Sequence, residues 1–178
     1  FIYCTAMKIL MLNYEYPPIG GGAGVITEHI AHGLCNEGSQ VHVITTGFGN
    51  YQRETNEGNL KITRLASKRK HAYQSNPFEM FSWLKESKKF LRKHLKNNDY
   101  DICFAHFALP GGEVAYCMKN EFGIPYVIMS HGHDIPWFYP SQMFFYHMLT
   151  YGWIKKIVTN SDALFVQSDE MEKNAALF

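Results

Sequence analysis

Several things are missing from these 178 residues, and each absence removes a class of explanation. No run of about 18 unbroken apolar residues occurs, the length a helix needs to cross a bilayer. The richest stretch, MFFYHMLTYGWIKKIV, is interrupted by His147, Lys155 and Lys156. The opening FIYCTAM is apolar but has no basic residues ahead of it and no small-residue cleavage tail, so it does not read as a signal peptide. Residues 1–6 read as an upstream extension without function. Net charge is almost absent, at +1, which gives no global reason to expect a nucleic-acid partner. An electrostatic partner has to be sought in local patches. Cysteine is sparse: Cys4, Cys35, Cys103 and Cys117 lie far apart with no C-x-x-C pair. Reduced thiols in a cytoplasmic protein are expected, with Cys35 and Cys103 on buried faces.

Familiar nucleotide motifs are missing too. The segment NYEYPPIGGGAGVITEH carries Gly20, Gly21, Gly22 and Gly24, yet G-x-G-x-x-G would need glycine where Val25 or Thr27 stands. No glycine of the cluster leads to Gly-Lys-Ser/Thr, so it is no P-loop. The acidic residue a nicotinamide binder places near the end of its second strand is replaced by TTG. No Ser/His/Asp or Cys/His set is identifiable by spacing, which disfavours nucleophilic hydrolysis.

What is present is an ordinary globular composition, 46% apolar and 19% charged, long enough to bury the core of one domain. Short, almost wholly apolar runs read as buried strands at 7–13, 40–46, 100–107, 125–130 and 163–168, with a weaker strand at 59–66 nearer an edge. Helical spacing marks 24–37, 77–97, 111–123 and 141–160, and a further helix begins at Asp169 and runs to the last residue without a cap. The alternation predicts a doubly wound, mostly parallel Rossmann-like sheet with helices on both faces. In the common strand order 3-2-1-4-5-6, ligands bind beyond the carboxyl ends of strands where the order reverses. That brings together NYEYPPIGGGAG, AHFALPGG and SHGHDIPWF, the three loops richest in chemical groups.

In the first loop, exposed N–H groups at a helix N-terminus attract anionic oxygen, diphosphate included; the plain alternative is a flexible connection. His106 ends the fourth strand and is either a hydrogen-bonded packing residue or a functional one facing the glycine loop. His131, His133 and Asp134 resemble a metal pair in spacing, but no further ligand cluster supports a metal. Hydrogen bonding to a polyhydroxylated substrate fits them better, with Trp137, Phe138 and Tyr139 as an apolar platform or a packed lid. On helix 77–97, Lys85, Lys88, Lys89, Arg92, Lys93 and Lys96 lie opposite the apolar stripe. They form either a solvated face or a peripheral contact with anionic lipid, helped by exposed aromatics such as Phe81 or Trp83.

Taken together, MKILMLNYEYPPIGGGAGVITEHIAHGLCNEGSQVHVITT, DYDICFAHFALPGG, PYVIMSHGHDI and SDALFVQS resemble the amino-terminal domain of a GT-B glycosyltransferase of the retaining family 4 group. The resemblance spans nearly the whole chain, in the family's order. It implies transfer of a hexose from a nucleotide-sugar co-substrate to a glycan, lipid-linked or small-molecule acceptor, with retention of configuration and no metal or other cofactor. Residues 1–178 would be the acceptor-side domain. A carboxy-terminal donor-binding domain with an E-x7-E-type motif would lie outside the chain and leave the piece inactive alone. Glu113 and Glu121 have that spacing but fall on the wrong helix. By the same resemblance, His131 and Asp134 are catalytic, Gly20, Gly21, Gly22 and Gly24 approach the donor diphosphate, and Tyr14, Glu15, His106 and His133 serve the acceptor. The expected location is cytoplasmic, with membrane association on the inner face through helix 77–97. The alternative is a stand-alone nucleotide- or carbohydrate-binding module of the same fold, or an enzyme of another type using a nucleotide cofactor.

Overall fold

A computed structural model describes residues 6–132, 134, 136 and 140–177, those at 140–143 without their side chains. Strand β1 (Lys8–Leu12) lies in the middle of a seven-stranded sheet, parallel to β2 (Gln40–Thr46) on one side and β5 (Ile102–His106) on the other. Its side chains alternate between two cores, which explains the unbroken apolar run. Ile9 and Met11 pack with Val41, Val43, Leu60, Ile62 and Ala31 of helix α1 (Gly22–Asn36). Leu10 and Leu12 pack on the opposite face with Trp83, Leu91, Met118 and Ile157. Those residues come from helices α2 (Pro77–His94), α3 (Glu113–Phe122) and α4 (Pro140–Thr159). A strand buried on both faces is what a parallel sheet between helix layers requires.

Beyond β2 lie β4 (Leu60–Leu65), parallel to it, and β3 (Glu54–Glu57), antiparallel at the edge. Beyond β5 lie β6 (Tyr126–Met129) and β7 (Ala163–Phe165), both parallel. The order β3-β4-β2-β1-β5-β6-β7 is the expected doubly wound order with one hairpin strand added. Sequence patterning does not find β3, because ETNE is polar and exposed and an edge strand needs no apolar face. The strand read at 59–66 therefore lies one place in from the edge.

Helix ends follow local chemistry. Asn76 caps α2 through Glu79 N–H while Glu79 returns a bond to Asn76 N–H, with Pro77 in the first turn. Gly123 closes α3 in the left-handed conformation. Helix α5 (Asp169–Ala176) is capped by Ser168. Trp83, expected as an exposed aromatic, is entirely buried in the core, whereas Phe81 is 60% exposed. Cys103 is buried as expected and Cys35 half-buried. Among the described residues no helix is long and apolar enough to cross a membrane.

At the amino-terminal end of the sheet, buried His42 bonds Thr63 Oγ1 at 2.8 Å and the Tyr100 hydroxyl at 2.6 Å. His94 reaches the same hydroxyl at 2.9 Å. A polar cleft of about 410 Å³ opens there between Lys8, Lys61, His94 and Asn98, at the end opposite the strand termini discussed next.

Candidate functional site

The reversal of strand order falls between β1 and β5, and the loops leaving β1, β5 and β6 meet above it. After Leu12, Asn13 turns inward: its side-chain oxygen accepts Glu15 N–H at 3.0 Å and its amide donates to Thr27 Oγ1 at 2.6 Å. Thr27, one turn into α1, donates to Ala23 O at 2.7 Å. Its oxygen lies 3.1 Å from His106 Nδ1, and His106 Nδ1 lies 3.0 Å from His131 Nε2. On the outer side, the exposed Gln167 amide, just past β7, stands 3.2 Å from His131 Nδ1.

His131 sits on a ledge held by Asp134. One carboxylate oxygen accepts Ser130 Oγ–H at 2.8 Å and His131 N–H at 3.0 Å; the other accepts Ala108 N–H at 2.8 Å. Asp134 is 4% exposed. With its oxygens taken by three donors inside the protein, it holds the loop that carries His131. The ledge is stiffened by Phe107, a non-glycine residue at φ 65, whose ring packs against His131 at 4.7 Å. A bulky residue in the left-handed region is held there only by its surroundings. Gly111 supports the same turn, because a Cβ there would collide with the His106 carbonyl and lie 3.0 Å from that of Leu12.

The glycine loop divides into two kinds of position. Gly20 has φ +97, and a Cβ on it would come within 2.6 Å of Glu15 Cβ. Gly24 is buried, and a Cβ on it would lie 3.3 Å from the Ile19 carbonyl oxygen. Both are glycine for reasons internal to the fold. Gly21 and Gly22 are exposed, and a Cβ on either would meet nothing within 4 Å. They open α1, whose first N–H groups have no acceptor within the helix. Glu15 Oε2 accepts Gly21 N–H at 3.2 Å, and its other oxygen faces Arg69 at 3.5 Å. The Arg69 side chain is 1% exposed and also bonds the carbonyls of Tyr14, His71 and Ala72. Gly20 N–H donates to Ala72 O at 2.7 Å, so the 69–72 segment is strapped to the glycine loop.

Several expected acceptor contacts lie inside the protein. Tyr14 is 9% exposed, its ring tilted against those of Trp83 and Phe107, and burial drives its phenol pKa strongly upward. Glu15 is engaged as described. His106 is fully buried with His131 Nε2 3.0 Å away; burial, then His131, pushes its pKa down to about 3. The side chains of Tyr14, Glu15 and His106 thus pack or bond within the protein. His133, like Trp137, Phe138 and Tyr139, lies outside the described residues. Burial lowers the His131 pKa, opposed by Asp134 and Glu15. Among the described residues no three His, Cys, Asp or Glu side chains converge as metal ligands would. Glu113 is occupied by Lys88 and Trp153, and Glu121 by Arg92, as structural ion pairs and hydrogen bonds. Asn13, Thr27, Arg69 and Gln167 are not found by motif reading. The one signal available in sequence was position, since Asn13 and Gln167 each follow a strand on its carboxyl side.

Comparison with known proteins gives one consistent answer. The model of Glycosyltransferase Family 4 matches residues 20–177. An uncharacterized glycosyltransferase of Methanocaldococcus jannaschii is 28% identical over 175 residues, 96% of this chain and 45% of that protein. The N-acetyl-alpha-D-glucosaminyl L-malate synthase of Bacillus anthracis is 27% identical over 131 residues, 72% of this chain and 32% of that protein. Among solved structures, sucrose-phosphate synthase from Thermosynechococcus elongatus superposes with a TM-score of 0.76 at 16% identity, covering 97% of this chain and 45% of that one. The chain thus spans less than half the length of the curated relatives it matches.

Proposed function

The chain belongs to glycosyltransferase family 4, and from that premise we propose that it forms the acceptor-side wall of a cleft in which a hexose is transferred from a nucleotide sugar. The observation that carries this reading is the pair Gly21–Gly22. Neither position has an internal steric reason to be glycine, both are exposed, and both stand at the amino-terminal end of α1. Bare backbone at that point admits the diphosphate of a donor, and the positive end of the helix favours the charge that develops as the sugar–phosphate bond breaks. His131, between Gln167 and the buried His106, is the ring that meets the sugar.

On this reading transfer proceeds with retention of configuration and without a metal, and the rest of the donor site comes from a second domain. The enzyme containing this chain would transfer hexose, whereas residues 1–178 alone would give no turnover; robust transfer by the isolated piece would refute the two-domain requirement. Replacing His131 with Ala in the complete enzyme is expected to lower kcat/KM about 100-fold or more. An unchanged value would remove His131 from the site.

The acceptor end of the cleft carries a second feature. Along α2 the exposed stripe runs from Phe78 and Phe81 to Lys85, Lys89 and Lys93, with exposed Lys96 just past the helix. Exposed Phe144, Phe145, Met148 and Leu149 lie on α4. A groove of about 250 Å³ between the two helices is lined by Met80, Phe81, Leu84, Leu109, Pro110 and Trp153. Leu109 and Pro110 belong to the turn that follows His106. Apolar side chains beside exposed lysines fit an anionic lipid surface presenting a lipid-linked acceptor. Co-sedimentation with phosphatidylglycerol vesicles but not with phosphatidylcholine vesicles is expected, weakened by added salt and by Phe78→Ser. Equal association with both would discard the lipid contact.

A further inference from the structure

We propose that the fold locks His131 in the tautomer bearing its proton on Nδ1, so that the ring faces the cleft as a hydrogen-bond donor, and that Thr27 and His106 are the positioning residues that enforce this. What the donor ring does in catalysis rests on the function proposed above, but the tautomer does not.

The assignment follows from counting protons along one chain of contacts. Asn13 is oriented without ambiguity, because its side-chain oxygen must accept Glu15 N–H. Its NH2 group therefore faces Thr27 Oγ1 and donates to it. The Thr27 hydroxyl proton must then point elsewhere. At 2.7 Å from the Ala23 carbonyl it has to lie on that line, since two bare oxygens at that distance repel. Thr27 Oγ1 thus has only a lone pair for His106 Nδ1 at 3.1 Å, and the proton between them belongs to His106. Buried His106 is neutral, so its Nε2 is bare. That matches the absence of any partner for Nε2 among the described residues, because an orphaned acceptor costs less than an orphaned N–H.

The same Nδ1–H of His106 faces His131 Nε2 at 3.0 Å. Two N–H groups cannot share that gap, so His131 Nε2 is bare and the proton of the neutral ring lies on Nδ1. A half-turn of the Gln167 amide, which exchanges two atoms of equal size, brings its oxygen to accept that proton at 3.2 Å. An oxygen of the substrate approaching from the exposed Gln167 side would take the place of the amide. A ring fixed in this way cannot act as a base at its outward nitrogen. A free histidine side chain favours the other tautomer, with its proton on Nε2, so the preference here is imposed by the contacts behind the ring.

The test is long-range 1H–15N NMR of the full chain labelled in its histidines, with His131→Asn identifying the His131 signals. A protonated Nδ1 and a bare Nε2 are expected for His131; the reverse would overturn the proposal. Thr27→Val removes the lone pair that fixes His106 and should move His131 toward a mixture of tautomers, while Thr27→Ser should restore the single form. Should Thr27→Val fail to fold, His106→Phe serves the same purpose by removing the N–H behind His131. A His131 tautomer unchanged in the folded variant would overturn the positioning roles, because a merely structural contact would not set the position of a proton.

Discussion

At the scale of residues, the glycine loop makes a prediction that separates folding from function. Gly20→Ala forces a left-handed residue against Glu15 and should cost about 1–3 kcal/mol of stability, read from urea unfolding. Gly21→Ala should leave the midpoint almost unchanged and instead raise the KM for the nucleotide sugar in the complete enzyme. Loss of stability in both, with KM unaffected, would place the whole loop in a structural role. The buried histidines predict a dependence on acidity. Burial lowers both His42 and His106 to about 3, below the ordinary unfolded value of about 6.5. Their neutral forms are the folded ones, so their contribution is fully present above about pH 6.5. It is lost as the pH falls toward 3, at up to about 1.4 kcal/mol per pH unit for each. His42→Gln should flatten the stability curve between pH 4 and 6, and an unaltered slope would show that His42 is not a main contributor. The glycines and His131 stand out in the sequence because they follow strands in a recognisable order. Thr27 does not, since a threonine on a helix looks the same whether or not it directs a proton. Nor does the burial of Tyr14, Glu15 and His106, which depends on what the 67–76 loop and the turn after β5 do in space.

At the scale of elements, α2 shows both successes and misses. Its length and apolar stripe follow from periodicity, and Pro77 marks its start, but the reciprocal cap between Asn76 and Glu79 becomes visible only with the structure. Asn76→Ala is expected to destabilise the protein by about 1 kcal/mol in thermal or urea melts; no change would mean the first turn is held by packing alone. The basic face is less free than its composition indicates, because Lys88 pairs with Glu113 and Arg92 with Glu121. Trp83 belongs to the interior since its position on the helix falls on the stripe facing β1. Strand β3 was invisible because its pairing uses backbone groups of β4 rather than apolar side chains.

At the scale of the whole molecule, strand order was the most legible property. Apolar runs separated by helical spacing admit few arrangements once crossovers are right-handed and connections short. The meeting of three loops at the reversal point followed from that order before any contact was known. The finer assembly was not legible, because hydrogen bonds reaching from the end of β1 to the residue beyond β7 join positions far apart in the chain.

The strap formed by 69–72 has a practical consequence. Lys68 and Lys70 are exposed, while Arg69 between them is withdrawn and bonded on every side. Brief trypsin treatment of the native protein should cut after the two lysines and spare Arg69. Cleavage at Arg69 would require the segment to lift from Gly20 and Glu15. The rate of that one cut therefore measures how often the glycine loop is released, and a nucleotide sugar that settles on the loop should slow it.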